Sequence, residues 1–373
     1  MNRLESGKVA LTEEIQKQLL TALEKYNPES PLTMLFDYVR IRFPTTDVKH
    51  VIEDILQLKT DMMIHEDFGF YSYPEHYVLG DVFVLTSADE EKGTLLELKG
   101  KGCRQMESYL LAQHRSWYDF FMDALGDGGV MKRLDLAIND MVGMLDIPEL
   151  TEKCNREECI SVFRSFKSYR SGELVRSHEQ DRYSMGNTLY VGSLKSEVYF
   201  CIYEKNYEQY VKNGIPIGDT KIKNRFEIRL KNERAYHAVC DLLNYYDAER
   251  TAFSIINRYI RFADKEVDKR RSEWKTNGKW AYFIGSDRRR LKLTTQPEPY
   301  TLTRTLNWID RQVAPTWKML QKIDCANGTH ILRDILNDVE LTERHKKLIK
   351  QQTTSPEEVI QRQMEKFERR NEE

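Results

Sequence analysis

The chain has 373 residues, of which 57 are basic and 59 acidic, for a net charge of −2; 40% are hydrophobic and 11% aromatic. That length and apolar share allow one large domain with appendages or two domains, and they exclude wholesale disorder. The balanced charge means that any nucleic-acid surface must come from local patches. The six cysteines form no CxxC pair, no HxH or HExxH is present, and no Walker loop, GxGxxG or GxSxG elbow occurs. Nucleotide hydrolysis and esterase chemistry are therefore disfavoured, and any metal must rest mainly on carboxylates. The apolar runs are far shorter than the roughly 20 residues of a membrane-spanning helix. No membrane insertion is expected, and unpaired cysteines fit a reducing cytoplasm.

Taken in chain order, residues 11–26 (LTEEIQKQLLTALEKY) place Thr12 as a cap before leucines at helical spacing, which predicts an amphipathic helix closed by NPESP. The pattern then predicts a strand at DYVRIRF, a helix over 47–57, strands at YVLGDVFVLTS and GTLLELKG, and one long helix at ESYLLAQHRSWYDFFMDAL. A second round follows: strands at KRLDLAIND, TLYVGS, VYFCIYEK and NRFEIRLK, then a helix at RAYHAVCDLL. Strands and helices mix without a strict βαβ period, so the expected class is α+β, with a central antiparallel or mixed sheet flanked by helices. LLELKGKGCRQMESYLL and FEIRLKNERAYHAVCDLL each set a Glu on a strand, then bases, then a helix, which suggests two related halves. From about residue 306 the pattern is helical, and the last twenty residues are expected to fray.

Strand alternation assigns faces. Leu134, Leu136 and Ile138 point one way, leaving Arg133, Asp135, Ala137 and Asn139 on the other; Phe226, Ile228 and Leu230 oppose Arg225, Glu227, Arg229 and Lys231. Phe200 and Ile202 oppose Cys201, Tyr203 and Lys205, and Glu97 with Lys99 repeats the pattern less cleanly. Taken singly, each polar face reads as a solvated surface with ordinary ion pairs. Taken together, two or three carboxylates suit Mg²⁺ or Mn²⁺, the bases suit a phosphate, and a tyrosine beside them is a candidate nucleophile on phosphorus. Its ordinary pKa of about 10 means that a cation, metal or base must activate it. Of the tyrosines in SEVYFCIYEKNYEQY, only Tyr203 ends a strand next to a lysine. Tyr199 is a neighbour or packing residue on the same face, and Tyr207 and Tyr210 read as half-buried amphipathic residues.

The ordered trio KRLDLAIND, TLYVGSLKSEVYFCIYEKNYEQ and NRFEIRLKNE resembles the rolling-circle replication initiators of small Gram-positive plasmids, the replication initiation factor (Rep_trans) family. Within it the resemblance is nearest to MobT-type relaxases of integrative conjugative elements, over roughly residues 30–305. It implies a bacterial cytoplasmic enzyme that nicks one DNA strand at an origin of transfer or replication. The 5′ phosphate would become joined to Tyr203, at the family's IY-x-K position, with Mg²⁺ or Mn²⁺ as cofactor. The first motif's acid falls on Asp135 and the R-x-E-I glutamate on Glu227. A second acid of the first motif is replaced by Asn139, leaving Asn139 and, through the half-repeat, Glu97 as further metal candidates. Cys201 and Leu194 stand where arginines are usual, which shifts phosphate handling onto Lys195, Lys205 and Arg225, with Lys205 and Arg225 beside the nucleophile.

Residues 1–28 resemble the end of a Cro/CI-type helix-turn-helix domain without its recognition helices, giving an expected division into a 1–28 remnant, a 29–305 nicking domain and a 306–373 helical region. Basic patches that mix arginines with aromatics, RSFKSYRSGELVR (with Arg164, Lys167 and Arg170), KRRSEWK with Trp274, and DRRRLK (with Arg288, Arg289 and Arg290), fit phosphate contacts with base stacking. The expected partners are single- and double-stranded origin DNA, a helicase, a conjugation coupling protein and a second copy of the chain. The rival expectation is a non-catalytic DNA-binding regulator on the same scaffold.

Overall fold

A computed structural model describes residues 31–172, 184–285 and 309–360, with single positions between the last two stretches. The expected helix capped by Thr12, Arg288 to Arg290 and the tail beyond residue 360 lie outside the described residues. The described chain forms two compact units. One takes Arg40–Val130 with Gln296–Glu373, and the other Met1–Val39 with Met131–Thr295. The stretch expected as a single 29–305 domain is thus shared between them, and the C-terminal helices belong with the first.

In the first unit the later part of β1 (Leu32–Phe43) is followed by β2 (Ile64–Glu66), β3 (Glu75–Leu79), β4 (Val82–Thr86) and β5 (Thr94–Lys99), ordered β2-β3-β4-β5-β1. Gly80, at φ 61°, turns β3 into β4, a conformation glycine adopts without a Cβ penalty. Between β1 and β2 the expected helix becomes a short turn at Val48–His50, capped by the Asp47 carboxylate, that widens into a π turn at Val51–Ile55. The single long helix expected after β5 is two, α1 (Gly100–Ala112) and α2 (Trp117–Gly126). His114 is left-handed at φ 54°, and Ser116 forms a capping box with Asp119, so local side-chain bonding restarts the helix where periodicity alone would continue it. The restart aims Trp117, Phe120 and Phe121 into the core, their rings 5.5 to 5.8 Å apart. The C-terminal helix Glu343–Thr353 is tied to the segment before β2: Lys347 donates to the Met63 carbonyl, Gln351 to that of Met62, and Lys350 pairs with Asp61.

The second unit carries the early part of β1, then β6 (Val130–Asp140), β7 (Cys159–Ser161), β8 (Phe166–Gly172), β9 (Ser184–Val191), β10 (Val198–Glu204) and β11 (Asn224–Lys231). The sheet order is β1-β6-β11-β10-β9-β8, with antiparallel pairing from β6 onward. One face is the apolar set read from alternation: Leu134, Leu136, Ile138, Phe200, Ile202, Phe226, Ile228 and Leu230 are all buried. Phe226 lies 5.2 Å from Phe200 and 5.6 Å from Phe283, which also packs on Phe253 and Trp280. Fully burying such side chains stabilises by roughly 1.5–3 kcal/mol each. The helix expected at RAYHAVCDLL runs over Asn232–Tyr245 directly after β11, as α1 follows β5, so the two halves share a strand-to-helix unit.

Asp140, at the end of β6, is structural. Its fully buried carboxylate accepts from the backbone N–H groups of Val142, Gly143 and Leu145 and from the Asn224 amide at 2.8 to 3.1 Å. Asp140→Ala strands these donors. At roughly 1–3 kcal/mol for each unsatisfied buried group, partly relieved by water, the expected loss is about 3 kcal/mol in denaturant unfolding.

Candidate active site

The antiparallel register turns three strands into a grid. Across β10, β11 and β6 the rows are Tyr199–Arg229–Asp135, Cys201–Glu227–Ala137 and Tyr203–Arg225–Asn139. All nine side chains share the face opposite the aromatic core, because side chains alternate along each strand. This face is no solvated surface, since Asp135, Asn139, Arg225 and Glu227 are all buried.

Charges are paired throughout. Arg133 grips Asp135 through two nitrogens at 2.9 and 2.6 Å, and Arg229 contacts Oε2 of Glu227 at 2.9 and 2.6 Å. The other oxygen of Glu227 accepts from the Tyr203 hydroxyl at 2.8 Å. Lys205, which opens the helix Lys205–Asn213 just after β10, places Nζ 3.4 Å from the same hydroxyl and pairs with Glu208 one turn on. Arg225 donates from Nε to the Asn139 carbonyl oxygen at 2.7 Å and from Nη1 to Asp37 at 2.9 Å. The rim is open: the side chains of Asp37, Arg133 and Arg229 keep 23%, 21% and 22% of their exposure.

This environment sets the protonation states. Burial, opposed by Arg133 and reinforced by Glu227, raises Asp135 to about 6. Burial and then the Glu227 charge hold Tyr203 well above an ordinary phenol. Lys205 is lowered by burial and by Arg225. Cys201, across from Glu227, is raised to about 12 by burial and the Glu227 charge, so it sits as a thiol. The resting hydroxyl of Tyr203 is therefore a donor to a carboxylate, with a lysine close enough to stabilise the phenolate once the proton leaves.

The structure sets Tyr203, Arg225 and Asn139 in one row and Glu227 in the next, with Lys205 at the helix start beside the Tyr203 hydroxyl, while Asp135 lies in the third row between Arg133 and Arg229. Asn139 has its amide committed, accepting from Arg225 and donating to Thr33 at 3.1 Å. Glu97 belongs to the other unit, on β5, with its own partners Arg40, Lys99 and Tyr71. Arg164, Lys167, Arg170 and Lys195 are exposed in the second unit, and Tyr169 beside them is 53% exposed. Trp274 is instead buried, its indole N–H donating to the carbonyls of Glu266 and Lys269, so it packs rather than stacks on a base. Tyr199 is buried beneath Lys231 and Arg229, while Tyr207 and Tyr210 lie half-buried on the helix after β10. Asp37 is a member of the site to which strand alternation does not point. It lies 188 residues before Arg225, and its place on a short β1 face beside Tyr38 and Arg40 gives no sign of that partner.

Because Glu227 disfavours the phenolate, Glu227→Gln should lower the Tyr203 pKa while leaving it a hydrogen-bonded phenol. The carbon signal of ring-labelled tyrosine followed by NMR through alkaline pH checks this, and an unchanged titration would mean that burial alone sets the value.

The model of the family described as "Replication initiation factor" matches residues 129–336, and the rolling-circle replication initiation protein N-terminal domain matches residues 33–123. The chain is 43% identical over 322 residues to the protein assigned as DNA relaxase NicK in Bacillus subtilis (strain 168), covering 86% of this chain and 90% of that one. The solved rolling-circle replication initiator of Geobacillus stearothermophilus has a similar fold, with a TM-score of 0.60 at 24% identity, spanning 71% of this chain and 99% of that one. The α+β sheet of two related halves, the motif-bearing strands and these matches agree: the chain belongs to the replication initiation factor family.

Proposed function

We propose that this chain nicks one strand of origin DNA by transesterification, with Tyr203 as the nucleophile and a 5′-phosphotyrosine as the intermediate. The observation that carries the reading is the Tyr203 hydroxyl seated between the Glu227 carboxylate and the Lys205 ammonium on a buried, charge-compensated sheet face. Family membership and the likeness to a DNA relaxase support it. A regulator that only binds DNA has no use for a half-buried hydroxyl and ammonium set on a buried carboxylate, so the catalytic reading is favoured.

Glu227 takes the proton as the Tyr203 oxygen attacks phosphorus, and Lys205 meets the negative charge that builds on that oxygen and on the phosphate. The P–O3′ bond breaks and the departing 3′ oxygen takes a proton from solvent, leaving a 3′ hydroxyl and the 5′ phosphate on tyrosine. Bond energy is kept in the phosphotyrosine, so religation needs no nucleotide, in keeping with the absence of a phosphate-binding loop in the sequence. Arg225, held by Asp37 and Asn139, presents a fixed guanidinium beside Tyr203 to orient the scissile phosphate.

A hard divalent cation fits this chemistry. Asp135 and Glu227 are buried oxygen donors on either side of Arg229, whose Nε lies 3.8 Å from the one and 2.9 Å from the other; Mg²⁺ or Mn²⁺ would take over part of that charge compensation. Asn139 fits less well because its oxygen is taken by Arg225. Held by these carboxylates, such a cation would supply positive charge to polarise the phosphate and steady the leaving 3′ oxygen. Exposed Arg164, Lys167, Arg170 and Lys195, with Tyr169, would hold the DNA backbone away from the chemistry. Single-stranded origin DNA is the substrate, with duplex origin, a helicase, a coupling protein and a second copy as partners in the wider process.

Tyr203→Phe should bring nicking of labelled single-stranded origin DNA to background with little change in unfolding midpoint, since the ring and its packing remain. Tyr199→Phe and Tyr207→Phe should keep most activity. A mapped adduct at 199, 207 or 210 would overturn the assignment.

Metal binding carries a pH signature. The raised pKa of Asp135 favours its neutral form in the fold, so its contribution to stability is full below about 4 and is lost as pH rises through about 6. The same rise supplies the carboxylate, so Mn²⁺ affinity read by electron paramagnetic resonance should strengthen between about pH 5 and 7. Asp135→Asn should flatten that dependence; an unchanged Mn²⁺ profile would remove Asp135 from the metal site.

A further inference from the structure

The first unit holds a second hydroxyl–carboxylate–cation cluster. Glu97 on β5 is fully buried and accepts at 2.9 Å from the Tyr71 hydroxyl, as Glu227 accepts at 2.8 Å from Tyr203. A base two residues further along the strand pairs with each glutamate: Lys99 lies 2.8 Å from Glu97, and Arg229 lies 2.6 Å from Glu227. A cation also reaches each hydroxyl, Arg40 at 3.3 Å from that of Tyr71 and Lys205 at 3.4 Å from that of Tyr203.

The likeness is not a simple relic of duplication. By register the residue on β4 that corresponds to Tyr203 on β10 is Leu85, a core residue. The hydroxyl at Glu97 comes instead from the loop between β2 and β3. There Tyr71 and Ser72 are consecutive non-glycine residues at φ 56° and 64°, a conformation that costs of order 1–3 kcal/mol per residue and persists only when its surroundings impose it. Lys92 imposes it, donating to the Ser72 carbonyl at 2.8 Å while its own carbonyl accepts from Tyr73. The Arg40 guanidinium lies 4.4 Å over the Tyr71 ring. Tyr71 is nevertheless 47% exposed as a residue, its hydroxyl facing Glu97 and Arg40 and the rest of the side chain open to a nucleic-acid strand.

We propose that Tyr71 is a second phosphodiester acceptor, which takes a further single strand of DNA in covalent form. The proposal rests on the reading of the chain as a tyrosine nickase. In this step the Tyr71 oxygen attacks phosphorus and forms a P–O bond, the P–O3′ bond breaks, and the phenolic proton passes by way of Glu97 to the departing 3′ oxygen. Arg40 and Lys99 meet the added negative charge. One chain thereby holds two 5′ ends.

The test uses the full chain with single-stranded origin oligonucleotides carrying a 3′-bridging phosphorothiolate at the nick site, whose thiol leaving group does not reverse the reaction. The expected result is up to two strands bound per chain, with peptide mapping finding adducts on both Tyr203 and Tyr71. Tyr71→Phe should leave nicking by Tyr203 within about twofold and cut the strand load to one per chain. Adducts on Tyr203 alone at saturating oligonucleotide would overturn the second acceptor and leave the nickase reading standing. Absence of any adduct on Tyr203 would instead overturn the reading on which it rests. Because the wild-type adduct map needs no variant, poor folding of Tyr71→Phe would not rescue the proposal.

Discussion

The buried ion pairs of the β6–β11–β10 face are the constraint on which the second unit depends. Two carboxylates in the middle of a sheet, out of water, are costly unless each is met by a fixed cation, and removing one partner of such a pair typically costs 3–5 kcal/mol. Arg133 and Arg229 meet that need at Asp135 and Glu227. The pairing in turn requires one register. A slip by a single residue would turn the acids into the aromatic core and the phenylalanines onto the polar face. Phe200, Phe226 and their neighbours, packed against Phe283 and Trp280, hold that register from the other side. Core and site are the two faces of the same three strands, so the packing that folds the unit also aims its chemistry.

The same burial makes the candidate nucleophile quiet at rest. Tyr203 gives its proton to a hydrogen bond with Glu227, and the negative charge beside it works against ionisation. Lys205, lowered by burial and by Arg225 and paired with Glu208, is placed to meet negative charge that builds on the phenol oxygen. A cation at the carboxylates would offset the Glu227 charge and favour the phenolate, and the negative charge of a bound phosphate would favour the charged form of Lys205 beside it. Reactivity is thus tied to occupancy of the site, which suits a protein that must not attack every phosphodiester it meets.

Much of this was legible because strand alternation is a two-residue period that survives any three-dimensional arrangement. It assigned Leu134, Leu136, Ile138, Phe226, Ile228 and Leu230 to the core and Asp135, Glu227, Arg225 and Tyr203 to the other face, as the structure has them. Alternation along a strand does not give its neighbours, and so could not say that Asp37 meets Arg225 across 188 residues of chain, or that Asn139 would be engaged by that arginine. Nor does it report burial of the polar face, which depends on what covers it. Helical periodicity failed where side chains bond the backbone: Ser116 and a left-handed His114 divide a continuous apolar pattern into two helices. Trp274 shows the same limit, since a tryptophan among arginines reads as a stacking platform until its indole N–H is found on two buried-side carbonyls.

The two halves show what a duplicated strand-to-helix unit keeps and what it leaves free. Both retain a buried glutamate on the strand, a base two residues on and a helix directly after, because those three are bound together by the strand's own register. The hydroxyl is under no such constraint. In one half it comes from the neighbouring strand, where the ladder of β10 with β11 fixes its position and leaves the residue half-buried. In the other the corresponding strand position is a core leucine, and the hydroxyl is carried by a loop held in left-handed backbone. A strand-borne tyrosine gains precision and loses exposure, whereas a loop-borne one gains exposure at the expense of backbone strain. That trade follows from elementary geometry, and it explains how one scaffold presents two similar clusters with different access to a passing strand.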